Sequence, residues 1–221
     1  MCGRAVCEYK KTMSECKKWG VRAGQSLSMI LHPFLIPTYA MLILLFGGTV
    51  LSHIPFSLKG FFIAIIVTNT VLLPAVAVWI LKLFGLLHSL SLRERSDRIV
   101  PIAIVALCYF LCAMMLSGVT GAFLLRRFLF AAMACVLLAF VVNFYWKISL
   151  HMIAMGGLVA MLLLMNVSGF GRLPVTTLLV VVMAGALGSA RLCLGAHNLA
   201  QVAAGFFGGF MLALLAILFI P

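Results

Sequence analysis

Five residues separate Arg191 from His197, and Gln201 follows His197 by one helical turn. If a helix starts at that point, His197 and Gln201 share a face, and the amide oxygen can meet the imidazole. Earlier in the chain, Ser149 and His151 open an apolar run. A helix N-terminus there would present them beside free backbone N–H groups, a setting that favours an anion. Arg93, Arg95 and Arg98 in the stretch SLSLRERSDR, and Lys147 just ahead of Ser149, add further cations. Guanidinium groups form forked hydrogen bonds to phosphate oxygens, and lysine contributes a point charge. Two histidines beside them are the residue type that carries protons near neutrality. The chemistry such a set can do is to hold a phosphate and transfer it. The same charges also suit a simpler role, anchoring helix ends to lipid headgroups, and on spacing alone both roles stay open.

The elements that would position these residues are set by hydropathy. Of 221 residues, 65% are hydrophobic and only 9% charged, with a mean hydropathy of +1.26. A soluble domain of this size carries far more charge on its surface. Charge-free stretches between Arg98 and Arg126, Arg127 and Lys147, Lys147 and Arg172, and from Arg191 to the end each approach the roughly 20 residues a membrane-crossing helix needs. An all-α integral membrane protein of about six to seven transmembrane helices is expected. Seven apolar runs are read at residues 28–52, 60–87, 99–119, 128–146, 151–167, 175–194 and 199–220, the first the least regular because of Pro33 and Pro37. Residues 1–27 read as a basic, flexible tail and residues 28–221 as the membrane domain.

Connectivity then sorts the polar residues. Two runs lie between the Arg93–Arg98 stretch and Lys147–His151, and two more between that and Arg191–His197. An even number of crossings returns the chain to the same side. Arg93, Arg95, Arg98, Lys147, Ser149, His151, Arg191 and His197 are therefore expected on one face, and Arg126, Arg127 and Arg172 on the other.

The net charge of +12, from 16 Lys and Arg against Glu8, Glu15, Glu94 and Asp97, points to phospholipid headgroups or a phosphorylated ligand as partners. Nucleic acid is set aside, because the aromatic residues sit inside apolar runs and not on a polar basic surface. The cysteines show no CxxC pairing, and four of them lie in apolar runs, so neither a disulfide scaffold nor a metal site is expected. Small residues recur four apart at Ala184/Gly188 and Gly205/Gly209, which reads as close helix contact within one bundle in preference to a homodimer seam. Asn69, Asn143 and Asn166 read as hydrogen-bonding groups between helices, and His32 and His88 as interfacial histidines close to the cationic face.

Taken together, the fragments resemble the membrane branch of the type-2 phosphatidic acid phosphatase superfamily, which shares a core with vanadium haloperoxidases. That family carries three motifs, KxxxxxxRP, PSGH and SRxxxxxHxxxD. Ala190-Arg191, His197 and Gln201 match the third, with Gln in place of Asp. Ile148-Ser149-Leu150-His151 keeps the Ser and His of the second, and Arg98 with Pro101 stands in the place of the first, with Arg93 or Arg95 replacing its Lys. The resemblance covers residues 89–210 and the phosphatase-like core is placed at about 89–221.

It implies a metal-independent lipid phosphatase without cofactors, acting on a phosphate or pyrophosphate monoester of the phosphatidate, phosphatidylglycerol phosphate or isoprenyl pyrophosphate class. By that resemblance His197 would be the nucleophile and His151 the acid for the leaving oxygen. Arg98, Arg191, Ser149 and Arg93 or Arg95 would hold the phosphate, with Lys147 an extra cation. Gln201 can accept a hydrogen bond from the nucleophile but brings no negative charge. The alternative is a weak or inactive homologue that binds anionic lipid or phosphate as a scaffold or transport accessory. The excess of cations on the motif face would place that face in the cytoplasm, whereas resembling bacterial enzymes often face outward. The expected location is the cell membrane, or the inner membrane of a bacterium that has two.

Overall fold

Proline and glycine decide where the apolar runs break. The computed structural model describes residues 20–85, 96–119 and 121–219, with the side chains of residues 96–98 outside the description. Residues 1–19, most of the expected tail, are also outside it. The first apolar run, expected to be continuous over residues 28–52, is divided. Residues 20–30 form helix α1, residues 31–35 are non-helical, and α2 is Ile36–Phe46. Pro33 cannot donate a backbone hydrogen bond, and Pro37 lies in the first turn of α2, the place where a helix tolerates it. Eleven residues rise about 16 Å, about half of a 30 Å hydrocarbon core.

The second run is one long helix, Phe56–Leu83, with a local irregularity. It comprises α3 (Phe56–Val67), a π turn (Thr68–Leu72) and α4 (Leu73–Leu83). The Leu73 N–H reaches back to the Thr68 carbonyl, a wider turn placed one residue before Pro74. A proline has no N–H for the carbonyl four residues earlier, and a π bulge absorbs that defect without ending the helix. The remaining elements are α5 (Ser96–Met115), α6 (Phe123–Tyr145), α7 (Leu150–Val167), α8 (Pro174–Cys193) and α9 (Leu199–Phe219).

Among the described residues the fold is all-helical, apart from a single bridge between Thr49 and Gly171. Five helices (Phe56–Leu83, α6, α7, α8 and α9) are long and apolar enough to cross a membrane, with mean hydropathy from 1.8 to 2.4. The chain is a multi-pass membrane protein. Ile36–Phe46 and Ile99–Met115 are shorter apolar helices. Leu178, Val182, Phe207 and Leu218 are more than half exposed on the outer helices, as lipid-facing side chains are.

The bundle is built around α7, of which 61% is buried against 33% for each of the other four. Its closest partner is α9, and glycines set that approach. A Cβ on Gly205 would meet the Ser149 carbonyl at 2.9 Å and Met152 Cβ at 3.1 Å, and Cβ atoms on Gly156 and Gly209 would collide with the backbone of Phe206 and Ile153. Gly188 of α8 faces Val202 and Met152. The small-residue spacing is thus used for contact inside the bundle. Asn166 ties α7 to α8 through Thr177 Oγ1 at 2.9 Å and the Leu173 N–H at 2.6 Å, and Asn69 reaches Met115 Sδ of α5.

Candidate functional site

At one end of the bundle, the start of α9 fixes the first pair of polar groups. Asn198 precedes α9, and its Oδ1 accepts from the Gln201 N–H at 2.9 Å. Gln201 Oε1 accepts in return from the Asn198 N–H at 3.2 Å. This reciprocal arrangement is a capping box, which satisfies two otherwise orphaned donors of the helix start. The same Oε1 lies 3.1 Å from His197 Nδ1. Because that oxygen is only an acceptor, His197 Nδ1 carries the proton and donates. In the neutral ring this tautomer places the lone pair on Nε2.

The end of α8 sets the distance to Arg191. Gly195 has φ +61°, a left-handed conformation that a Cβ disfavours. The Gly195 N–H bonds the Leu192 carbonyl at 3.0 Å, and the Ala196 N–H bonds the Arg191 carbonyl at 3.2 Å. This pair of bonds is a Schellman ending. The five-residue spacing between Arg191 and His197 is therefore one helix stop followed at once by one helix start.

Ser149 caps α7 at the same end. Its backbone is extended, its carbonyl accepts from Met152 and Ile153, and its side chain makes no capping bond. Ser149 is fully buried, and its Oγ has no hydrogen-bond partner among the described residues. Arg191 Nε is likewise buried without one. Orphaned buried polar atoms are rare, and two of the three found here lie in this cluster, the third being Arg126 Nε at the opposite end.

His151 occupies the first turn of α7. Its Nε2 lies 3.1 Å from the Ser28 carbonyl, so Nε2–H donates to it. That carbonyl belongs to the last turn of α1, where carbonyls lack helical partners. Arg191 Nη1 donates to Ser28 Oγ at 3.5 Å. The His32 ring meets the His151 ring edge to face at 5.7 Å, and its Nδ1 accepts from the Phe34 N–H at 3.4 Å. Burial, and then the Arg191 charge, hold the His32 imidazole below its ordinary value. His197 and Arg191 both lie within electrostatic range of His151.

Of the expected site residues, the fold brings His151, Ser149, Arg191, His197 and Gln201 together. Lys147 is half-buried in the connection two residues before Ser149. Arg98 is placed in the first turn of α5, with its side chain outside the description, and Arg93, Arg95 and His88 lie outside the described residues. At the other end, residues 48–50 bond to residues 170–172, with Val50 N–H on Phe170 and Arg172 N–H on Gly48. Arg172 is thereby placed away from the cluster.

The cluster also takes in His32, which the sequence places near the cationic face as an interfacial histidine or one packed behind the site, and Ser28, expected only as the start of a span. Only the break at Pro33 hinted that this segment leaves the helix. The capping box was legible as Asn198-Leu-Ala-Gln201 and was not read.

Among the described residues no group of three His, Cys, Asp or Glu side chains is placed to hold a metal ion. The arrangement suits an oxyanion, with Arg191 and Ser149 as donors and a His197 lone pair nearby. Comparison with protein-family models, curated proteins and solved structures finds no match to this chain.

Proposed function

We propose that this protein is a membrane lipid phosphatase resembling the type-2 phosphatidic acid phosphatases, with six to seven crossing helices and its site at one interface of the cell membrane. The observation that carries this reading is the His197–Gln201 hydrogen bond beside Arg191. In the neutral ring that bond favours the Nδ1–H tautomer, whose Nε2 lone pair is the one the proposed reaction uses.

In the proposed reaction His197 Nε2 forms a bond to phosphorus as the bond to the lipid oxygen breaks. The leaving oxygen takes a proton from His151. Water then attacks the phosphohistidine and gives a proton back to His151 as the N–P bond breaks, releasing phosphate and restoring both rings. Arg191 and Ser149 Oγ would meet the equatorial oxygens, where negative charge grows in the transition state. Arg98, with Arg93 or Arg95, would complete the cradle, and Lys147 would add a cation at its edge.

Purified protein is expected to release phosphate from phosphatidate, phosphatidylglycerol phosphate or isoprenyl pyrophosphates, and His197→Ala is expected to abolish release. A folded sample that releases none, and that Gln201→Asp does not activate, rules the enzyme out.

A second reading has its own support. Ser28 already engages both His151 and Arg191, the groups a substrate would need, and Gln201 carries no charge. A scaffold or transport accessory that binds anionic lipid would keep this arrangement. It predicts phosphate-dependent thermal stabilisation that survives His197→Ala and weakens with Arg191→Ala.

A further inference from the structure

Beside the polar cluster, a cavity of about 90 Å³ lies between α2, α5, α6, α7 and α9. One end is lined by Pro33 and Phe34, which follow His32, and by Leu150, which lies between Ser149 and His151. The other end is lined by Cys135, Gly157, Leu158 and Ala213. No charged side chain lines it, and Tyr109 is its most polar member. Along α7 the lining extends from Leu150 to Leu158, about 12 Å at 1.5 Å per residue.

The shape limits what can enter. On the same measure a single water needs about 10–15 Å³, so a cavity of about 90 Å³ has room for a few small groups, a short stretch of one hydrocarbon chain. The space exists because alanines and a glycine line it where a bundle core would carry larger side chains. Its lining is apolar, and its end at Pro33 and Leu150 adjoins His32 and His151, which lie within electrostatic range of Arg191, an order complementary to a lipid phosphate.

We propose that this cavity receives the hydrocarbon chain of a single-chain lipid phosphate, head at Arg191, His151 and His32, tail toward Gly157. This deepens the phosphatase reading and rests on its phosphate site. The tail leaves lipid and not water, so the hydrophobic effect adds little and the fit to the walls selects the ligand. A diacyl phosphate would leave its second chain outside a cavity of this volume.

The test is photolabelling of the full chain in phosphatidylcholine vesicles. The probe is a single-chain alkyl phosphate carrying a diazirine at the chain end, with labelled residues mapped by mass spectrometry. Labels are expected on Cys135, Leu158 or Ala213, competed by unlabelled alkyl phosphate at least tenfold better than by phosphatidate. Gly157→Ala adds a Cβ at ordinary contact distance from Cys135 Sγ (3.5 Å) and Ala213 Cβ (3.6 Å), so it fills depth without a clash. It is expected to cut labelling there at least fivefold, and Ala154→Phe more.

Labels confined to the bilayer-facing residues of α4 or α8 would overturn the proposal. So would equal competition by phosphatidate, or labelling unchanged in both variants. Labelling needs no turnover, so the two readings fail separately. Cavity labels on a protein that releases no phosphate leave the cavity standing and remove the phosphatase. Phosphate release with neither variant altering labels does the reverse.

Discussion

His197 and Gln201 are joined by an Nδ1–H···Oε1 hydrogen bond of 3.1 Å, and the same oxygen accepts the Asn198 N–H. One amide therefore sets the imidazole tautomer and caps a helix. Gln201→Leu removes both functions. It is expected to lower kcat by about a hundredfold through loss of tautomer control, and to lower stability by about 1 kcal/mol through loss of the cap. Gln201→Asp keeps an acceptor and adds a charge that stabilises the imidazolium, and is expected to raise kcat by about tenfold or more. Phosphate-release kinetics beside thermal melts separate the two effects.

Arg191 carries a buried Nε without a hydrogen-bond partner among the described residues, and Ser149 Oγ is in the same condition. A charged hydrogen bond to an oxyanion is worth about 1.5–3 kcal/mol. Arg191→Ala is therefore expected to weaken inorganic phosphate binding by about 10- to 150-fold. Ser149→Ala should weaken it less, and Arg172→Ala, at the opposite end, should leave it unchanged. Calorimetric titration of phosphate into the three variants makes the comparison.

Gly195 and Gly205 hold the site in register by different means. Gly195 has φ +61° in open space, so Gly195→Ala costs only backbone strain, about 1–2 kcal/mol. Gly205→Leu instead forces a side chain against the Ser149 carbonyl and Met152, an overpacking cost of about 1–3 kcal/mol. Both are expected to lower the melting temperature. Gly205→Leu should lose more phosphate affinity per degree lost, because it moves Ser149 directly.

The His32 imidazole is held below its ordinary value near 6.5, first by burial and then by Arg191. The unfolded chain then binds more protons than the folded one below about pH 6.5, so stability is full above that value and falls as the pH drops through it. His32→Gln is expected to flatten the fall of the melting temperature below about pH 6.5. Added phosphate should oppose the loss, since an anion at the mouth favours the protonated ring.

Sequence alone pointed to a helical multi-pass membrane protein and to several of the polar residues that the fold gathers at one end. Charge-free runs of helix-spanning length require a membrane, because buried backbone polar groups in lipid leave few alternatives to helices. Parity of the runs put His151, Arg191 and His197 at one end without any contact being known. The pairing of His197 with Gln201 followed from four-residue periodicity, a purely local rule.

Tertiary structure decided what local rules cannot carry. Ser28 and His32 join the cluster through contacts more than a hundred residues away along the chain, and no periodicity encodes such a contact. The cavity among five helices exists because small residues from separate elements meet in one place. Which side chains share a void, and which carbonyl takes the His151 proton, depend on how the helices pack. Those relationships turn a set of basic residues at helix ends into one site with a mouth and a depth.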